Sequence, residues 1–413
     1  MRRRPLAAAI GAAALAGSVA VVASSAGQGA TPAGAATAPV AIPLISGVTT
    51  ATQSSVLLPM GHLNDPANTF WELFLRPAGS TSWTLQTPKG VADNGGLVVA
   101  EPPAGPVTVG FLPSALLRFS PLAQSTDGGR TWSPGSLSAA LVAAPDALAG
   151  GPTYVAMGVA AGDVTALVSG SGQSVQTSSG DLSTWRTVAT TKSLAKTVRG
   201  CGVQRISAVA ANAAGPILGV QCRQSGRIGV LFPPAAGSGS ASTTWTSGGP
   251  LLTGGTSGTA TVLRLEATSS YGTVASSVAG LTGLAGVQSG GATSLVAFWS
   301  LPLGPGWTQS TRLTIPSGWT VWASATGGGS GRGIAVLLGS GSRRRIVTVA
   351  GPGAGWVTVP SPPSGTGAVA TVGTETDAFV VSGSGLSVWA LTPGSAWSRT
   401  QTATVPIPYG SSS

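Results

Sequence analysis

Acidic residues are scarce in this chain: its 413 residues hold 11 Asp and Glu against 21 Lys and Arg, with one histidine, two cysteines and three tyrosines. A charged fraction of 8% and a mean hydropathy of +0.34 exclude a disordered chain, which needs low hydropathy and high charge. One histidine, His62, and two cysteines far from it in sequence fall short of the three or four ligands of a zinc site. No metal and no cofactor is therefore expected. The basic residues are scattered apart from Arg343, Arg344 and Arg345, so the basic patch with interleaved aromatics that marks nucleic-acid binding is missing. Beyond the N-terminus no apolar run reaches membrane-spanning length without Gly, Ser or charge.

The N-terminus itself has three arginines, an apolar stretch from Leu6 to Ala23, and a small-residue region ending in Ala36-Thr37-Ala38. These are the three parts of a secretory signal, expected to span residues 1–38 and to be cut after Ala38. An uncleaved anchor is the alternative, although Gly11, Gly17 and Ser18 interrupt the apolar stretch. Setting aside Arg2, Arg3 and Arg4 leaves 18 basic and 11 acidic residues, a net charge of +7. In an oxidising compartment Cys201 and Cys222 read as a disulfide. They frame two strand-like runs, residues 203–210 and 217–222, on either side of the turn "AANAAG".

Gly 62 and Pro 30 are spread between short Val/Thr/Leu/Ala runs, the pattern of many strands and many turns. Seven tryptophans, Trp83, Trp132, Trp185, Trp245, Trp307, Trp356 and Trp397, each follow a turn-like stretch, at spacings of 49, 53, 60, 62, 49 and 41 residues. A period of 40 to 60 residues made of short strands points to a β-propeller with about four strands per blade. Trp71, Trp299 and Trp389 precede their turn tryptophans by 12, 8 and 8 residues, which places them on the preceding strand of the same hairpin. The expected fold is all-β: a seven-bladed β-propeller of four-stranded antiparallel blades over residues 56–407, after a linker or first strand at 39–55 and before a polar tail at 408–413. "LLGSGSRRRIVTV" reads as a solvated hairpin turn running into a strand, with an anionic surface such as a cell-wall polymer as the alternative for an exported basic protein.

The string "STDGGRTW", from Ser125 through Asp127 and Gly129 to Trp132, resembles the Asp-box, S-x-D-x-G-x-T-W, of sialidase-like propellers. In its own chemistry Asp127 can accept turn amides, and Gly128 and Gly129 allow positive φ. The resemblance implies a hairpin between the third and fourth strands of a blade, at its periphery, so these residues are expected to be structural. "SSGDLSTW", residues 178–185, is a degraded second copy. The sialidase pattern also implies three arginines, a Tyr/Glu nucleophile pair and an Asp acid/base. Arg76 in "FLRP" is the nearest approach to the first arginine, and Arg264, Glu266 and Tyr271 in "VLRLEATSSYG" are the nearest to a catalytic group. Arg264 and Glu266, two apart, share one strand face and can pair.

A second string, "GHLNDPANTFWELF", is similar to the N-D-P motif of fructan- and arabinan-cleaving propellers, which makes Asp65 a candidate nucleophile and Glu101 a candidate acid. The same segment gathers His62, Asn64, Asp65, Asn68 and Trp71, the densest set of hydrogen-bonding groups in the chain and the first place to expect a ligand. Together these readings lead to an exported, monomeric, sialidase-like propeller that binds an extracellular glycan or envelope protein without a complete hydrolase site. A glycoside hydrolase, sialidase-like or of the N-D-P type, is the competing expectation.

Overall fold

The structure, a computed structural model, describes residues 45–50, 53–61, 69–88, 97–100, 106–111, 122–134, 145–150, 153–155, 158–160, 164–169, 172–178, 182, 184–212, 215–223, 226–233, 244–253, 258–268, 280–300, 306–327 and 333–406. The chain divides into two units, Met1–Ala35 and Ala36–Ser413, and every described residue lies in the second. The sequence-predicted signal, together with His62, Asn64, Asp65, Asn68, Glu101 and Tyr271, lies outside the described residues. No helix among the described residues is long and apolar enough to cross a membrane.

Strands follow one another in four-strand runs. The first run is β1 (Ile45–Thr49), β2 (Gln53–Gly61), β3 (Thr69–Pro77) and β4 (Thr84–Leu85), and the second is β5 (Leu97–Ala100), β6 (Val107–Phe111), β7 (Leu122–Ser125) and β8 (Ser133–Pro134). The third joins β9 (Pro145–Gly150) to β12 (Val164–Ser169), β13 (Gln173–Ser178) and β14 (Trp185–Thr190), around a separate two-stranded pair, β10 (Thr153–Val155) and β11 (Gly158–Ala160). After helix α1 (Thr191–Thr197) come β15 (Val203–Asn212), β16 (Gly215–Cys222), β17 (Gly229–Phe232) and β18 (Thr246–Gly248). The fifth run is β19 (Thr259–Thr268), β20 (Gly280–Ser289), β21 (Ala292–Ser300) and β22 (Trp307–Gln309), with β23 (Leu313–Thr314) added to β21. Then follow β24 (Thr320–Gly327), β25 (Gly333–Ser340), β26 (Arg343–Val349) and β27 (Val357–Thr358), and finally β28 (Thr366–Val372), β29 (Glu375–Ser382), β30 (Gly385–Leu391) and β31 (Ser398–Thr404). Each of the seven turn tryptophans stands at, or immediately before, the start of the fourth strand of its run.

The chain is an all-β propeller, but the expectation of seven separate blades is corrected. Among the described residues five sheets of four or five strands stand separately, beside the β10–β11 pair, while the first and sixth runs are fused into one eight-stranded sheet of order β27-β26-β25-β24-β1-β2-β3-β4. The join is a parallel pairing of β1 with β24, from Ile45 opposite Ala323 to Val48 opposite Thr326. β28 therefore lies against this junction instead of between the two strands. Its backbone comes so close that a Cβ on Gly47 would sit 2.8 Å from the Val369 carbonyl oxygen and 3.2 Å from Ala370 Cα. Only a residue without a side chain permits that approach. The Thr49 hydroxyl fastens the contact by donating to the Thr371 carbonyl.

Sheets bury both faces, so their strands read as nearly continuous apolar runs, with alternate residues feeding neighbouring cores. In β2, Val56, Leu58 and Met60 enter the core shared with β24–β26 and β28–β30, whereas Leu57 enters the one shared with β5–β7. In β25, Ala335 and Leu337 face the β28 side, and Ile334, Val336 and Leu338 face β19–β21. Further shared cores link β5 and β7 to β12, β12–β14 to β15–β17, and β15–β17 to β19–β21. This succession of shared cores closes on itself and encloses a centre, which is what makes the stack a propeller.

The disulfide expectation holds: Cys201 and Cys222 are joined across a sequence separation of 21, at the end of the β15–β16 hairpin where Val203 pairs with Cys222. Both are buried in the core that β15–β17 share with β12–β14 and α1. A bridge closing a loop of that length stabilises by roughly 3 kcal/mol. Accordingly, a Cys201→Ala/Cys222→Ala variant should lose about that much in urea unfolding, and the unmodified chain should take up a thiol-alkylating reagent only after reduction. Alkylation of both cysteines without reductant would show that the bridge does not form.

Candidate functional site

The string from Ser125 to Trp132 forms the turn between β7 and β8, the third and fourth strands of their sheet. Ser125 Oγ donates to Asp127 Oδ1 at 2.8 Å and accepts from the Gly129 amide at 2.8 Å; Asp127 then accepts from the Thr131 amide at 2.9 Å and its hydroxyl at 2.6 Å. The Thr131 hydroxyl, helped by the Thr131 amide, holds the Asp127 carboxyl down at about 2. Gly128 and Gly129 take φ of 72° and 87°, and Trp132 packs half-buried against the core of β2–β3 and β5–β7. Aligned on the tryptophans, Leu182 in the degraded copy stands where Gly129 stands here, and it too is left-handed, at φ 56°. That conformation costs a leucine about 1–2 kcal/mol, offset by burying its side chain beside Val164 and Ala166. In the first of these turns the Ser125, Asp127 and Thr131 side chains are occupied by the fold itself.

Nearer the centre, Arg264 and Glu266 on β19 pair as expected, Nη2 to Oε1 at 3.6 Å. Arg264 is buried, not solvent-facing: Nη1 donates to the Ser324 carbonyl on β24 at 2.9 Å and Nη2 to the Gly47 carbonyl on β1 at 2.6 Å. Its guanidinium thus holds both strands of the parallel junction to β19. Glu266 is closely surrounded by protein, and desolvation raises its carboxyl against the pull of Arg264. Its side chain nonetheless stays 28% accessible. Tyr271 and Asp65, on which the two sequence-derived catalytic groupings depend, lie outside the described residues. Trp71 on β3 is half-buried and packs between the cores on the two sides of its sheet.

At the turn joining β25 to β26, the arginine run departs from a solvated turn in one respect. The turn is at Gly341–Ser342 and the strand starts at Arg343, as expected, but all three guanidinium groups lie over indoles. Arg343 and Arg345 are 5.5 Å and 5.0 Å from the centre of the Trp319 ring, and Arg344 is 4.3 Å from that of Trp322. Residues 343 and 345 share one sheet face and residue 344 takes the other. Arg344 is tied to the fold, donating to the Thr366, Gly341 and Arg343 carbonyls. Arg343 and Arg345 are exposed, and among the described residues their guanidinium groups have no hydrogen-bond or ion-pair partner.

The cluster that sequence reasoning missed lies where β3–β4 meets β29–β31. Arg76, the arginine of "FLRP", donates from Nη1 to Glu375 Oε1 at 2.8 Å and to Asp377 Oδ2 at 3.0 Å. Trp83 Nε1 donates to the same Asp377 oxygen at 2.8 Å, and Gln401 clamps the Trp83 backbone, accepting from its amide and donating to its carbonyl. Asp377 is 1% exposed, and its Oδ1 is buried without a hydrogen-bond partner among the described residues. Desolvation, reinforced by the neighbouring Glu375 charge, pushes its carboxyl up to about 7. The available signal was two acids two apart in "ETDAFVV", one strand face in an apolar run.

Asp377 in the folded chain keeps a proton that it loses near 3.8 when unfolded, so its protonation favours the native state at low pH and this advantage fades as pH rises towards 7. Urea unfolding should therefore show stability declining from about pH 4 to about pH 7 through this group. Asp377→Asn keeps an acceptor for Trp83 and removes the titration, and should flatten most of that decline. Glu266→Gln, which removes a carboxyl raised in the same sense, should flatten the rest; an unchanged slope in the double variant would trace it to other groups.

No protein-family model matches the chain, and no curated protein matches it in sequence. Among solved structures, the chain is similar to a lectin of Aleuria aurantia in complex with Fucalpha1-6GlcNAc, at 16% identity and a TM-score of 0.40 over 89% of this chain and 97% of the lectin. Another structure of that lectin, described as a six-bladed β-propeller with a novel fucose recognition mode, aligns at 15% identity and a TM-score of 0.39 over 89% of this chain and 96% of that one. A protein of Lactobacillus plantarum aligns at 12% identity and a TM-score of 0.44 over 86% of this chain and 97% of that one.

Proposed function

We propose that this protein is an exported, sialidase-like propeller that binds a glycan and does not hydrolyse it. A glycosidase working through two carboxyl groups needs both to reach the scissile bond. Among the described acids, Glu375 and Asp377 are the pair that shares a partner, and the observation carrying the proposal is that Asp377 is sealed at 1% exposure under Arg76 and Trp83. The other acids whose side chains are described are engaged singly: Glu72 accepts from Thr87, Asp127 caps its turn, and Glu266 pairs with Arg264. Exposed chemistry is instead of the binding kind, guanidinium groups over indole rings at the start of β26. The N-terminal signal and the buried disulfide support export, since such bridges persist in oxidising compartments. The Asp-box turn, placed between third and fourth strands, supports the sialidase-like reading of the repeat.

The purified protein should release no fluorophore from a panel of fluorogenic sialosides and fructosides, and should retain immobilised glycans in an array. Turnover abolished by Asp65→Asn or by Tyr271→Phe would make it a hydrolase and sink the proposal.

A further inference from the structure

Between Glu266 and Glu375 the chain carries five arginines, Arg312, Arg332, Arg343, Arg344 and Arg345, and not one acidic residue. This stretch builds β20–β28, so none of these nine consecutive strands carries an acidic residue. Within it, Trp319 packs half-buried on the core between β19–β21 and β24–β26, and thereby fixes the plane against which Arg343 and Arg345 lie. A guanidinium stacked on an indole keeps its N–H donors in its own plane, aimed outward, and has less rotamer freedom left to lose on binding. Arg343 and Arg345 are about 7 Å apart along the strand at the usual rise.

We infer that the Trp319, Arg343 and Arg345 edge is a docking site for a carboxylated polysaccharide, whose successive uronate groups are taken by the two guanidinium forks. The inference rests on the glycan-binding reading above and supplies its ligand class and its site. Carboxylate suits the planar bidentate geometry of arginine. The indole faces are occupied by the arginines, which leaves no platform for stacking nucleic-acid bases. Trp319 acts here as a positioning residue, holding the guanidinium groups without itself contacting the sugar.

The test is binding of polygalacturonate, with neutral pullulan, polyphosphate and single-stranded DNA as comparison probes, to the full chain and to Arg343→Gln/Arg345→Gln and Trp319→Phe variants. Both substitutions sit at exposed or half-buried positions, and unchanged urea midpoints would verify that the variants fold. The expected result is salt-sensitive retention of polygalacturonate, weakened about tenfold in the double arginine variant, the scale of two exposed charge contacts. Trp319→Phe should show a smaller loss with the salt dependence intact, because the arginines remain but are held less well. Equal retention by the folded variants would overturn the site. Equally tight binding of polyphosphate or single-stranded DNA would replace a carboxylate site with a general polyanion surface. Pullulan held while polygalacturonate is not would leave glycan binding standing and remove this inference; loss of every glycan would remove both.

Discussion

The parallel pairing of β1 with β24 is the contact on which the rest of the architecture depends. It joins the first strand of the described chain to one that begins at Thr320, and so converts a succession of stacked sheets into a closed circuit. Two local facts permit it. Gly47 offers no side chain to the β28 backbone passing over the junction, and Arg264 from β19 donates to carbonyls on both paired strands. A buried guanidinium is costly unless its donors are engaged, and here two backbone carbonyls and the Glu266 carboxylate receive it. The arginine that sequence placed in a candidate catalytic group is thus a brace between sheets. With its hydrogen bonds committed to main chain, it is poorly placed to meet a substrate carboxylate.

Sequence displayed the repeat and hid the closure, for a physical reason. An indole after a glycine-rich turn at the start of an outer strand is a local device, recurring every 41 to 62 residues, so its period survives in one dimension. The Cys201–Cys222 hairpin was legible for the same reason, since its partners are near in sequence. Pairing of Ile45 with Ala323 is a relation between distant residues that turns on one glycine among 62. Nothing near Gly47 distinguishes it from the others until β28 is laid against it, which is why a count of tryptophans led to seven separate blades.

The polar clusters divide along the same line. The Ser125–Thr131 turn could be read because each of its hydrogen-bonded pairs lies within four residues in sequence. Arg76 was noticed for its neighbours in sequence, but its partners, Glu375 and Asp377, lie 299 and 301 residues away. The arginine run was visible as charge, whereas its chemistry depends on Trp319 and Trp322, brought beside it by the pairing of β24, β25 and β26. In each case composition announced the group and tertiary pairing decided its role: cap, brace, sealed acid or exposed fork.

A chain made from its N-terminus reaches β1 early and β24 only after some 270 further residues. Until then the outer edge of β1 has no partner, and its unpaired amides and carbonyls offer a template to any passing strand. Nascent molecules side by side could each supply the other's β24, so the same parallel pairing that closes one molecule would join two into an exchanged dimer. The glycine that gives β1 its close seat also leaves that edge slender and weakly guarded. The long sequence separation between β1 and β24 thus makes their pairing a late step of synthesis.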